Sequence, residues 1–104
     1  MIKEKFNLKN KVAIITGASK GIGEAIARGL AEFGANVVVS SRKQEAVDKV
    51  AHKFNSEGLS SIAIECHVAK EDQQKSLIQK VLEKYGRIDI LVNNAGTNPY
   101  FGPV

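Results

Sequence analysis

The feature that most constrains this chain is the run Thr16-Gly17-Ala18-Ser19-Lys20-Gly21-Ile22-Gly23, placed directly behind the apolar segment Val12-Ala13-Ile14-Ile15. A short, continuous apolar run rich in β-branched residues reads as a strand covered on both faces. The glycines behind it read as a turn, and the stretch after them has helical periodicity. Strand, glycine turn and helix in that order present free backbone N–H groups at a helix N-terminus, which suits an anion. Gly17 allows the tight turn. Gly21 and Gly23 keep side chains away from a pyrophosphate approaching the backbone, and Gly23 also lets the helix lie close to the strand. The spacing, Gly-x3-Gly-x-Gly, differs from the commoner G-x-G-x-x-G. Ser19 and Lys20 lie inside the loop and can reach phosphate; Ser19 can also cap the helix.

The rest of the chain repeats the alternation. Further apolar runs occur at Val37–Val39, Ile62–Cys66 and Ile88–Val92. Between them lie three amphipathic stretches. Gly21–Phe33 aligns Ile22, Ala25, Ile26, Gly29, Leu30 and Phe33. A second, from about 42 to 57, aligns Val47, Val50, Ala51 and Phe54. A third, from about 70 to 85, aligns Leu77, Ile78, Val81, Leu82 and Tyr85. Gly34, Gly58 and Gly86 follow them as helix stops. Glu71 and Asp72 at the start of the third stretch, and Lys80 and Lys84 near its end, complement the helix dipole. The order βαβαβαβ with right-handed crossovers predicts an α/β, Rossmann-like three-layer αβα fold. Its four parallel strands run in the order 3-2-1-4, with ligands at their carboxyl ends. The 104 residues suffice for one domain with a modest core.

The end of the second strand reads Ser40-Ser41-Arg42-Lys43, with no carboxylate about 20 residues past the glycines. An acidic residue there would bond a ribose 2′-hydroxyl and repel a 2′-phosphate; a guanidinium fork binds that dianion. The expectation is NADP(H), with NAD less favoured, held by Arg42 with Ser41 and Lys43. Ser41-x-x-Gln44 can alternatively be a capping box for the second helix. The net charge of +4 includes Lys3, Lys5, Lys9 and Lys11 at the start. No aromatic platform or basic helix accompanies them, so a solvated leader is expected rather than nucleic-acid binding. No run approaches a membrane span of roughly 20 residues. A single cysteine, Cys66, fits a reducing, cytoplasmic setting.

These residues, with Asn93-Asn94-Ala95-Gly96, resemble the short-chain dehydrogenase/reductase family. That family carries a Thr-Gly-x3-Gly-x-Gly loop and an Asn-Asn-Ala-Gly loop after its fourth strand. The likeness runs from about Leu8 to Val104. Val39–Gln44, Cys66-His67-Val68 and Asn98–Gly102 resemble its branch of NADP-dependent carbonyl and retinal reductases. The resemblance implies that Gly17, Ser19, Lys20, Gly21, Ile22 and Gly23 hold the pyrophosphate and nearby ribose. It implies that Asn94, Ala95 and Gly96 pack beside the adenosine ribose and the cofactor's middle. Where most members place an aspartate against the adenine amino group, this chain has His67; the resemblance implies that His67 meets that group through a ring nitrogen, with Val68 offering a backbone contact. Asp89 resembles a residue that steadies the sheet, and His52 is expected to be solvated.

The family's chemistry uses a serine and a Tyr-x3-Lys pair, the tyrosine as general acid. Here Asp89 stands four residues after Tyr85, and Val104 four after Tyr100. Neither pair matches, so no residue is assigned a catalytic role, nor any a metal. The expectation is the truncated, cofactor-binding part of an oxidoreductase acting on a carbonyl or alcohol, inactive by itself. A non-catalytic nucleotide-binding module is the alternative. The fourth strand is expected to present an open edge that promotes association, and family members form homo-oligomers. A peroxisomal address would lie at a parent's true C-terminus.

Overall fold

A computed structural model describes residues 7–94 and the backbone of residues 100–102. The strands are β1 (Val12–Thr16), β2 (Asn36–Ser41), β3 (Ser61–Glu65), β4 (Ile90–Asn93) and β5 (Tyr100–Gly102). The helices are α1 (Gly21–Glu32), α2 (Gln44–Ser56) and α3 (Glu71–Tyr85). The sheet order is β3-β2-β1-β4-β5, and β1 to β4 are parallel. The expected four-strand arrangement is therefore present.

One face of the sheet packs Ala13, Ile15, Val37, Val39 and Val92 against α1 and α2. The other packs Val12, Ile14 and Val38 against Leu77 and Val81 of α3. Two helices on one face and one on the other follow from right-handed crossovers that first run outward to β3 and then return past β1 to β4. Phe54, Ile14 and Ile15 are fully buried, each contributing about 1.5–3 kcal/mol by leaving water. Gly34, Gly58 and Gly86 end the helices with φ of 107°, 85° and 76°.

Four expectations are corrected. The inward stripe of α1 is Gly23, Ala27 and Ala31, with Ile26 and Leu30 partly buried beside it. Ile22 is 72% exposed. The helix lies so close to the sheet that only small residues fit beneath it. Ser41 forms no capping box: its hydroxyl accepts the N–H of Lys43, the residue just before the helix begins, at 3.2 Å. The Glu65 carboxylate instead accepts the first N–H of α2, from Gln44, at 3.3 Å. Ser19 likewise makes no cap bond to α1. Finally, the edge of β4 is not open, because β5 pairs with it antiparallel, Val92 opposite Phe101. Six residues separate β4 from β5 in the sequence, too few for a parallel crossover.

The outer edge of β3 is closed differently. Gln44 accepts the Glu65 N–H at 2.9 Å and donates to the Ala63 carbonyl at 3.3 Å. Asn55 accepts the Ser61 N–H at 2.9 Å and donates to its carbonyl at 3.0 Å. Two carboxamides of α2 thus occupy ladder positions that another strand would take, which blunts the edge. Replacing both, Gln44→Ala with Asn55→Ala, is expected to cost about 2 kcal/mol in urea unfolding. It should also raise the fraction of self-associated chain in sedimentation at equal concentration; an unchanged fraction would remove the edge-closing role.

Asp89 locks β1 to the segment entering β4. Its carboxylate accepts the Val12 N–H at 2.9 Å, and its own N–H donates to the Val12 carbonyl at 2.8 Å. Arg87 grips both carboxylate oxygens at 2.8 and 2.7 Å. The Arg87 bond, reinforced by the Val12 N–H, holds the Asp89 carboxyl below its ordinary value. A depressed folded-state value contributes stability above the unfolded pKa of about 3.9, and that contribution disappears as pH falls through the lower folded value. Asp89→Asn is therefore expected to be less stable than the parent at neutral pH. The gap should close in urea titrations stepped down through about pH 4 and below.

Candidate functional site

The carboxyl ends of β1, β2 and β3 meet in a groove of about 580 Å³. It is lined by Gly17, Ser19, Lys20, Ser41, Arg42, Lys43, His67 and Val68, with Ala46, Cys66 and Ala69 between them. Eight of the residues singled out in the sequence are thus brought to one place. Gly21, Ile22, Gly23 and Asn94 lie off its wall. Ala95 and Gly96 lie outside the described residues, as do the side chains of Tyr100 and Phe101.

Beside the groove, a tight junction joins the two loops. Thr16 Oγ1 lies 2.9 Å from Asn93 Oδ1 and accepts the Asn94 N–H at 3.1 Å. Asn94 Nδ2 donates to the Gly17 carbonyl at 3.4 Å. Gly23 faces the same carbonyl: a Cβ on it would stand 2.1 Å from Gly17 O and 2.8 Å from Asn94 Nδ2. Asn94 therefore braces the glycine loop directly. Gly21 differs, with φ of 62° and nothing within 4 Å of an added Cβ, so it opens space for a ligand at the helix end. Helix α1 begins without a side-chain cap. Its first N–H groups have no partner within the helix.

The wall is positive. Lys20, Arg42 and Lys43 line it, and no carboxylate does. None of the three joins a salt bridge among the described residues. Helices α1 and α2 both begin beside it, adding positive partial charge. These donors and the open glycine turn fit an anionic dinucleotide: backbone N–H groups for its pyrophosphate, the guanidinium for a further phosphate.

Signals absent from the sequence reading complete the rim. Gln73 Oε1 accepts the His67 N–H at 2.7 Å, and Gln74 Nε2 donates to the Val68 carbonyl. Both shape the loop after β3, and nothing local marks a glutamine for such a task. Cys66 is buried, and burial pushes its thiol pKa up. It is a wall, not a nucleophile.

Fold and site together define a dinucleotide-binding α/β protein. Residues 11–103 match the family described as short chain dehydrogenase, and the chain belongs to that family. It is 54% identical over 95 residues to dehydrogenase/reductase SDR family member 4 of Mus musculus, covering 91% of this chain and 34% of the mouse protein. It superposes on a hydroxysteroid dehydrogenase from Escherichia coli with a TM-score of 0.87 and 39% identity, covering 91% of this chain and 40% of that one. A metagenomic short-chain oxidoreductase in complex with NADP gives a TM-score of 0.82 and 40% identity, with 86% and 41% covered. The chain spans about a third of the length of the curated relatives it matches.

The two glycines should respond differently to alanine. Gly21→Ala meets no atoms and carries only the left-handed backbone cost, about 1–2 kcal/mol. Gly23→Ala drives a methyl into a backbone carbonyl and should cost about 3 kcal/mol. Urea unfolding of both variants checks the order; equal losses would contradict the close approach.

Proposed function

We propose that this chain holds the adenosine 2′-phosphate and pyrophosphate end of NADP(H) for a short-chain oxidoreductase that interconverts carbonyls and alcohols. The observation that carries this reading is the groove wall: Arg42 and Lys43 beside Ser41 at the end of β2, with Lys20 opposite and no carboxylate. A fork of donors suits a phosphate dianion, whereas NAD offers only a hydroxyl there. The backbone N–H groups opening α1 hold the pyrophosphate, with Ser19 and Lys20 beside them. Asn94 braces the loop, and Ala95 and Gly96 continue toward the cofactor's middle. When bound, the nicotinamide supplies hydride transfer. The chain contains no Tyr-x3-Lys pair to manage the accompanying proton, so alone it binds without turnover.

We infer a small carbonyl or alcohol as the parent's substrate, and assembly of the parent into homo-oligomers. Exposed Ile22 and Leu82, 72% and 45% accessible, suit burial in such an assembly. No helix among the described residues is long and apolar enough to cross a membrane. The free, buried Cys66 suits a reducing compartment such as the cytoplasm.

Calorimetric titration of the chain with NADPH and NADH tests the cofactor reading. NADPH should bind about tenfold or more tightly, and Arg42→Asp should abolish that preference. Equal affinity for the two cofactors in the parent chain would overturn the assignment to NADP. Detectable NADPH oxidation by the chain with an aldehyde would overturn its inactivity.

A further inference from the structure

The end of the groove that follows β3 is built around His67. The ring's Nδ1 accepts the Ala69 N–H at 3.3 Å. That acceptor role assigns the neutral ring's hydrogen to Nε2. Nε2–H has no partner among the described residues, and His67 lines the groove. The neighbouring polar groups push the same way. The Val68 carbonyl already accepts from the Gln74 amide. The Val68 N–H has no bond among the described residues. This end of the groove therefore offers two donors, while its local acceptor is occupied.

Donors meet only acceptors. They can pair with N3 or N7 of any purine, and with either N1 of adenine or the oxygen at position 6 of a 6-oxopurine, whose N1 carries a hydrogen. They cannot pair with the 6-amino group of adenine, which is itself a donor. An aspartate at position 67 would do the reverse, accepting from the amino group and repelling a 6-oxygen. The geometry points to a base pocket that does not select adenine by its amino group and takes a 6-oxopurine nucleotide equally well. This rests on the groove being the site for the phosphorylated adenosine end of the cofactor, as proposed above.

The experiment is calorimetric titration of the whole chain with adenosine 2′,5′-bisphosphate and with inosine 2′,5′-bisphosphate, which differ in the substituent at position 6 and the hydrogen on the adjacent nitrogen. The two should bind within about threefold of each other, less than one well-formed hydrogen bond would discriminate. His67→Asn can keep the Ala69 bond through its oxygen while its amide still donates, so it should keep the parent's even-handedness. His67→Asp can keep the same bond but turns a carboxylate oxygen toward the base. It should favour adenosine over inosine by about tenfold or more. A residue that merely shaped the loop would shift both ligands together in either variant. A tenfold adenosine preference in the parent chain, or identical selectivity in the two variants, would overturn the inference while leaving the cofactor site intact. Binding of neither nucleotide would overturn the site itself, and the inference with it.

Discussion

The structure depends on one close approach, the packing of Gly23 against the Gly17 carbonyl under the amide of Asn94. A Cβ there would stand 2.1 Å from a backbone oxygen, so the first turn of α1 can reach β1 only as bare backbone. Everything at the carboxyl edge follows from that depth. The helix sits low enough for Ala27 and Ala31 to meet the sheet. The N–H groups of its first turn then emerge beside the ends of β1 and β2 instead of above them. The same carbonyl takes the Asn94 amide, and Thr16 ties Asn93 and Asn94 to β1. The two loops that flank a ligand are thus one hydrogen-bonded unit, and a change in either is felt by the other.

Around this junction, side-chain amides do work usually left to backbone. Gln44 and Asn55 close the edge of β3, while Gln73 and Gln74 fasten the loop after it. A carboxamide carries a donor and an acceptor on one planar group, as a peptide does, so it can replace a missing ladder partner at both atoms. The arrangement also explains why the loop holding His67 has a defined shape without regular structure. Its His67 N–H and Val68 carbonyl are bonded to Gln73 and Gln74 of α3, and the pairs Arg28–Glu57 and Lys53–Glu24 similarly fasten α1 to α2 on the opposite face.

How much of this was legible in the sequence depends on the range of the interaction. The strands, their order and the three helices were readable, because hydrophobic period and glycine stops are local signals. The buried stripe of α2, Val47, Val50, Ala51 and Phe54, was read correctly since large apolar side chains dominate it. The stripe of α1 was misread for the opposite reason. Glycine and alanine carry almost no hydropathy signal, and the larger Ile22 draws the predicted face toward solvent. The groove residues were readable because the glycine motif and the end of β2 carry chemistry in their identities. The capping role of Glu65, the edge closure by Gln44 and Asn55, and the pairing of β5 were not. Each joins residues distant in the chain, and a glutamine bound to a strand edge looks in sequence like any exposed helical glutamine.

The distribution of charge adds a further constraint on the groove. Arg42 and Lys43 are exposed, so their attraction for a phosphate acts through water and is screened within about 10 Å at ordinary salt. Such groups steer and select more than they hold. The holding falls to the backbone N–H groups of the α1 turn, which are fixed by the Gly17–Gly23 contact and lose little freedom when an anion arrives. Affinity and selectivity therefore reside in different parts of the same groove. On the function proposed above, loss of the glycine contact would weaken every dinucleotide alike, and a change at Arg42 would alter which dinucleotide is preferred.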